Sequence, residues 1–91
     1  MAQFTVRVEL HDADSEDYDN LHEKMGRNGY SKEINSNRKT YQLPNAEYIC
    51  DKNMSKSDVR DEVLEIAKKV KPRPDVLVTK SDGRAWSLNR V

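Results

Sequence analysis

The chain has 91 residues, of which 35% are hydrophobic and 35% charged, and its sixteen basic and sixteen acidic residues cancel. That balance excludes nucleic-acid binding by bulk positive charge and leaves only a local basic patch open. The length implies one domain, residues 1–91, with a modest core. The single cysteine, Cys50, cannot form an internal disulfide, so a reducing cytoplasm is the expected setting. No signal-peptide pattern opens the chain, and no apolar run approaches a membrane span.

Phe4, Val6, Val8 and Leu10 alternate with Thr5, Arg7 and Glu9. This spacing predicts a strand over Gln3–Leu10 with one buried face. His11-Asp12-Ala13-Asp14 ends it. Ser15 is the expected N-cap of a helix, with Glu16 and Asp17 suited to the positive end of its macrodipole. Tyr18, Leu21 and Met25 form the apolar stripe, with His22 beside it. Gly26 and Gly29 are expected to end this helix. Tyr30–Ser36 reads as a second strand and Asn35-Ser36-Asn37-Arg38 as a turn. Lys39–Cys50 reads as a long third strand. Its apolar phase slips at Pro44-Asn45, where a bulge would restore one buried face.

Ser55, with Asp58 three residues on, opens a second helix in a variant of the capping box. Val59, Val63, Ile66, Ala67 and Val70 form its stripe. Lys68, Lys69 and Lys71 suit its negative end, and Pro72 and Pro74 stop it. Asp75–Lys80 reads as the fourth strand. Ser81-Asp82-Gly83-Arg84 is a turn signal, and Ala85–Leu88 is expected to return as a short fifth strand carrying Trp86. The order β-α-β-β-α-β predicts an α+β, ferredoxin-like split sandwich, with both helices on one face of an antiparallel sheet. The other face is left open. Arg7 and Glu9 point to it. This superfold hosts many unrelated functions, so the fold alone names none.

Four groups can carry chemistry. His11, Asp12 and Asp14 follow the first strand, where a carboxylate can hold a divalent cation beside a phosphodiester. The plainer reading is a polar loop with an acidic helix start. His22 has the pKa of a general base, yet its place beside an apolar stripe fits a half-buried helix residue. Arg7, Arg27, Arg38, Lys39 and Arg84 can clamp phosphates, or simply be solvated. Tyr41, Tyr48 and Trp86 can stack bases or build the core. Cys50 has no cationic neighbour in sequence and reads as buried and inert.

Four segments together resemble a known family. They are Ala2-Gln3-Phe4-Thr5-Val6-Arg7-Val8-Glu9-Leu10-His11, Asp17-Tyr18-Asp19-Asn20-Leu21-His22, Tyr41-Gln42-Leu43-Pro44-Asn45-Ala46-Glu47-Tyr48 and Val76-Leu77-Val78-Thr79-Lys80-Ser81-Asp82-Gly83-Arg84-Ala85-Trp86. They are similar to small bacterial proteins grouped with the GhoS-type endoribonuclease antitoxins of type V toxin–antitoxin systems. The resemblance implies a ferredoxin-like fold like that of the CRISPR adaptation nuclease subunits. It also implies selective cleavage of a toxin's messenger RNA. Those nuclease subunits carry a metal-binding carboxylate just after the first strand, and Asp12 matches it by topology alone. No catalytic signature transfers residue by residue.

Two readings stay open. One is a small cytoplasmic RNA-binding protein, with an endoribonuclease antitoxin acting on toxin mRNA as its sharper form. Its catalytic residues would be His11 and Asp12, with Asp12 also holding Mg²⁺. Its RNA-binding residues would be Arg7, Arg27, Arg38 and Arg84. The other reading is a non-catalytic interaction or assembly module using the open sheet face. Neither needs a cofactor for folding, a small-molecule cofactor or a membrane. A homodimer is expected, through the open face or the last strand, with Trp86 in that contact or at the mouth of the core. Clustering of the four arginines on one face would favour RNA, and their dispersal, with an apolar open sheet, a protein partner.

Overall fold

The computed structural model describes residues 2–36 and 38–90. The elements run β1 (Ala2–Glu9), α1 (Ser15–Arg27), β2 (Glu33–Ser36), β3 (Lys39–Gln42), β4 (Glu47–Lys52), α2 (Lys56–Lys68) and β5 (Asp75–Lys80). This is an α+β fold whose order fits the ferredoxin-like βαββαβ arrangement. The strand β1 is central, antiparallel to β4 on one side and to β5 on the other. Val6 lies directly opposite Tyr48 on β4 and Val78 on β5. The β2–β3 hairpin joins the outer side of β4 through a reciprocal pair: Ser31 N donates to Ile49 O at 2.8 Å, and Ile49 N to Ser31 O at 2.9 Å.

The alternation of β1 decides what is inside. Phe4, Val6 and Val8 are buried and their odd-numbered neighbours are not. The buried set packs with Leu21 and Met25 of α1, Tyr48 and Cys50 of β4, and Val59, Val63, Ile66 and Ala67 of α2 in one core. Each fully buried aliphatic side chain contributes roughly 1.5–3 kcal/mol of transfer free energy. The helix stripes read from spacing are therefore the faces that the helices bury.

Both helices are capped by side chains. Ser55 is the N-cap of α2, accepting from Asp58 N at 3.1 Å. In α1 the cap is Asp14 rather than Ser15. Asp14 accepts from Asp17 N at 2.9 Å, and Asp17 accepts from Asp14 N at 3.2 Å. This reciprocal box satisfies two otherwise unpaired donors. Gly26 lies inside α1, which runs on to Arg27; Gly29, at φ 87°, is the glycine that turns the chain.

The predicted third strand departs most from expectation. It is two strands, β3 and β4, belonging to different sheets. A turn over Pro44 to Glu47, closed by Glu47 N on Pro44 O at 3.0 Å, separates them. No bulge restores a single buried face. Leu43 and Ile34 are buried on the side of the sheet opposite the main core, while Tyr48 and Cys50 enter that core. Of the predicted turn over residues 35–38, Asn37 lies outside the described residues. Arg38 sits there at φ 64°.

The predicted fifth strand, Ala85–Leu88, does not form. Ser81 N extends the β1–β5 ladder by one bond to Gln3 O at 2.8 Å, and Gly83 turns the chain at φ 132°. The segment then crosses the open face of the sheet. Arg84 donates to Thr5 Oγ1 at 2.8 Å and to Phe4 O at 3.1 Å. Trp86 reaches Tyr41, ring to ring at 6.2 Å. The segment ends on the hairpin, where Gln42 N donates to Asn89 O at 3.0 Å and Arg90 bridges Tyr41. A returning strand would have paired along β5. The segment instead covers Ile34 and Leu43, which the split of the third strand had left bare.

Candidate functional site

The open face is built from the odd residues of β1 and their opposite numbers. Thr5 lies between Ile49 and Thr79, Arg7 between Glu47 and Leu77, and Glu9 opposite Asp75. The crossing segment occupies the Thr5 row. The Arg7 and Glu9 rows stay exposed. This uncovered strip is of mixed charge.

At its end stands His11. Its Nε2 is 2.9 Å from Asp75 Oδ2 at the start of β5. The peptide just before is held by Tyr18, whose hydroxyl donates to Leu10 O at 3.4 Å and accepts from Leu10 N at 3.0 Å. Asp12 follows, exposed, at φ 54°. Aspartate tolerates that left-handed conformation better than most residues. Asp14 and Asp17 are committed to the helix cap. Among the described residues no three His, Cys, Asp or Glu side chains gather at one point. Asp12 therefore offers a divalent ion one carboxylate and no protein-built shell. The fold places Arg7, His11 and Asp12 toward one end of the sheet. Asp75 is the addition: 64 positions from His11, it carries no local signal. An imidazole oriented by a carboxylate is equipped for proton transfer.

Arg84 and Trp86 line a second feature. A groove of about 530 Å³ on the open face is lined by Gln3, Ser31, Asn35, Arg84 and Trp86, and also by the carboxylates of Glu33 and Asp51. Trp86 is 38% exposed there. It is neither in the main core nor wholly in water. Arg84 uses Nε and one Nη in its two hydrogen bonds, which leaves the rest of the guanidinium fork for an anion.

Arg27 and Arg38, the other two predicted phosphate-binding arginines, are elsewhere. Arg27 ends α1 and pairs with Glu23 one turn back. Arg38 sits at the tip of the β2–β3 hairpin. Arg7 and Arg84 thus share the open face around Thr5, and Arg27 and Arg38 belong to other surfaces.

A third cluster lies on the helix side. His22 Nδ1 is hydrogen-bonded to the Tyr48 hydroxyl. Lys32 lies 4.9 Å from the centre of the Tyr48 ring and donates to Pro44 O at 2.5 Å and Glu47 O at 2.8 Å. Burial lowers the His22 pKa, the Lys32 charge lowers it further, and Asp19 opposes both. Burial also pulls Lys32 down to about 8, against the carboxylate of Glu47. Lys32 remains mostly protonated at neutral pH, where its two carbonyl acceptors and the ring face favour the cation. His22 is a half-buried helix residue tied to the core tyrosine. Cys50 is buried, and burial raises its thiol pKa. Low thiolate content makes it a poor nucleophile.

Compared with protein-family models, with curated proteins and with solved structures, the chain matches none.

Proposed function

We propose that the protein is a cytoplasmic RNA-binding domain of the GhoS-type antitoxin kind, acting as an endoribonuclease on a toxin's messenger RNA. The observation that supports RNA binding is the shared groove of Arg84 and Trp86 on the open sheet face. An aromatic ring that stacks a base beside a guanidinium that holds a phosphate is the working pair of single-strand recognition. Glu33 and Asp51 in the same lining oppose the phosphate backbone. Affinity then rests on stacking and a few charge contacts, in keeping with a neutral chain.

Cleavage would take place at the end of β1. His11, oriented by Asp75, would take the proton of a ribose 2′-hydroxyl as that oxygen attacks the adjacent phosphorus; the P–O5′ bond breaks, leaving a 2′,3′-cyclic phosphate, and the departing 5′-oxygen takes a proton from water. Arg7, farther back on the same strand, would hold a neighbouring phosphate. The chain has one tryptophan, so its fluorescence reports the groove directly. Titration with single-stranded RNA should quench it saturably. Arg84→Ala and Arg7→Ala should each weaken binding. A log–log salt slope of about −1.4 is expected for two phosphate contacts. Single-turnover cleavage of a structured RNA, with and without EDTA, tests the chemistry through His11→Ala and Asp12→Asn. A protein that neither quenches nor shifts any of a pool of RNAs is not an RNA binder.

A specific observation also favours the interaction-module reading. The strand β5 has an uncovered edge and carries Leu77 at 63% exposure.

A further inference from the structure

The direction in which β5 presents its backbone follows from two hydrogen bonds. Ser81 N donates to Gln3 O, directly opposite in the β1–β5 register. In an antiparallel ladder, bonded pairs alternate with non-bonded ones. Asp75, Leu77 and Thr79 therefore turn their N–H and C=O groups toward β1. Val76, Val78 and Lys80 turn theirs outward. Val8 N donating to Ala46 O across β4 confirms the phase, since the even residues of β1 face β4. No other strand among the described residues pairs with the outward groups of β5. An unprotected edge of this kind is a template for another strand.

We propose that β5 pairs antiparallel with β5 of a second copy of this chain, with Leu77 on the two-fold axis. This inference does not rest on the RNA reading. A two-fold axis between antiparallel edge strands is perpendicular to the sheet, so residues of like parity face each other. With Leu77 on the axis, Val76 lies opposite Val78 of the second copy. Both turn their outward N–H and C=O groups into the gap, and the two symmetric pairs make four bonds. Lys80 N reaches Pro74 O, while the Lys80 carbonyl gains no partner there, because Pro74 has no N–H. Leu77 meets its own copy in a non-bonded pair, where side chains approach most closely. Asp75 meets Thr79, a carboxylate opposite a hydroxyl. The next register, with Val78 on the axis, sets Leu77 against Thr79 and Val76 against Lys80. It leaves the most exposed large apolar side chain among the described residues beside a threonine. Self-pairing about Leu77 is the register that sets this side chain against another leucine. The joined sheet would hold two open faces side by side.

Sedimentation velocity over a wide concentration range, together with cysteine cross-linking, tests this. The wild type should show a concentration-dependent dimer. Leu77→Lys sets two like charges opposite each other and should raise the dimer dissociation constant by about tenfold or more, with an unchanged circular dichroism spectrum. In a Cys50→Ala background, Leu77→Cys should form an intermolecular disulfide under mild oxidation, since the paired Cβ atoms fall within its reach. Thr79→Cys should not, because its two copies lie several residues apart along the strand. A wild type that stays monomeric throughout, or a Leu77→Lys variant that dimerises as the wild type does, overturns the proposal. Cross-linking of Thr79→Cys as fast as that of Leu77→Cys overturns the register.

Discussion

Arg84 Nε donates to Thr5 Oγ1 at 2.8 Å, and the two residues stand 79 positions apart in the chain. With the second bond to Phe4 O, this contact fastens the C-terminal segment to the central strand. It fixes Trp86 over Tyr41 and closes an apolar pocket of about 420 Å³ lined by Ile34, Leu43, Ile49 and Trp86. Arg84→Ala should free the segment at a cost of about 1–2 kcal/mol, since hydrogen bonds from a charged donor exceed neutral ones and this one is half-buried. Trp86 emission should shift to the red, and the urea midpoint should fall. Unchanged emission would show that the ring is held without the arginine.

The second anchor joins α2 to the chain after α1. Glu62 Oε1 accepts from Lys52 Nζ at 2.6 Å and from the Tyr30 hydroxyl at 2.8 Å. Lys52 also lies 4.3 Å from the centre of the Tyr30 ring. Burial would raise the Glu62 pKa, but the hydrogen bonds from Lys52 and Tyr30 and the Lys52 charge outweigh it and hold it below its ordinary value of 4.5. A depressed carboxylate contributes stability above its unfolded pKa and loses it as pH falls through the folded value. The wild type should therefore lose stability on acidification below about pH 4.5. Glu62→Gln should be less stable by about 1 kcal/mol at neutral pH and should lose less on acidification. Denaturation series at several pH values check both slopes. Parallel slopes would mean that the carboxylate is not coupled to folding.

His22 should stay neutral at pH 7. Burial, then Lys32, hold its folded pKa below the usual 6.5, with Asp19 in partial opposition. A histidine depressed in the fold contributes stability above its unfolded pKa and loses it as pH falls through the folded one. This loss begins below about pH 6.5 and precedes that of Glu62. An NMR titration of the ring protons should give a midpoint under 6.5. Lys32→Met should raise it by removing the neighbouring charge. A midpoint above 6.5 in the wild type would show that the imidazole is solvated.

Arg38 holds φ 64° between β2 and β3. A side chain in the left-handed region costs roughly 1 kcal/mol, which glycine avoids. Arg38→Gly puts at this left-handed position the residue that adopts it without steric cost. It should stabilise the fold by about 0.5–1 kcal/mol. If the hairpin tip contacts RNA, the same variant will bind it less tightly while its denaturation midpoint rises. A lower midpoint would show that the arginine makes contacts that outweigh its strain.

Local signals carried much of the fold. The alternation of Phe4, Val6 and Val8 and the stripes of Leu21-Met25 and Val59-Val63-Ile66 are periodicities of the backbone itself, and each selected face is buried. Ser55 was recognisable as a cap because its bond to Asp58 N spans three residues. The α1 cap shows the limit of this reading. Asp14 and Ser15 are both good caps, and Asp14 holds the position through its reciprocal pair with Asp17.

For the candidate site, Arg7, His11 and Asp12 could be grouped because one strand and its exit loop connect them. Asp75 could not, because register with β1 brings it to His11. The chain's own order of apolar and polar residues determined the elements, their faces and the α+β order. Tertiary structure decided where the third strand breaks, which way the C-terminal segment runs, and which charges meet. Those outcomes depend on bonds between residues as distant as Thr5 and Arg84, whose pairing energy is set by the assembled sheet and leaves no period in the sequence.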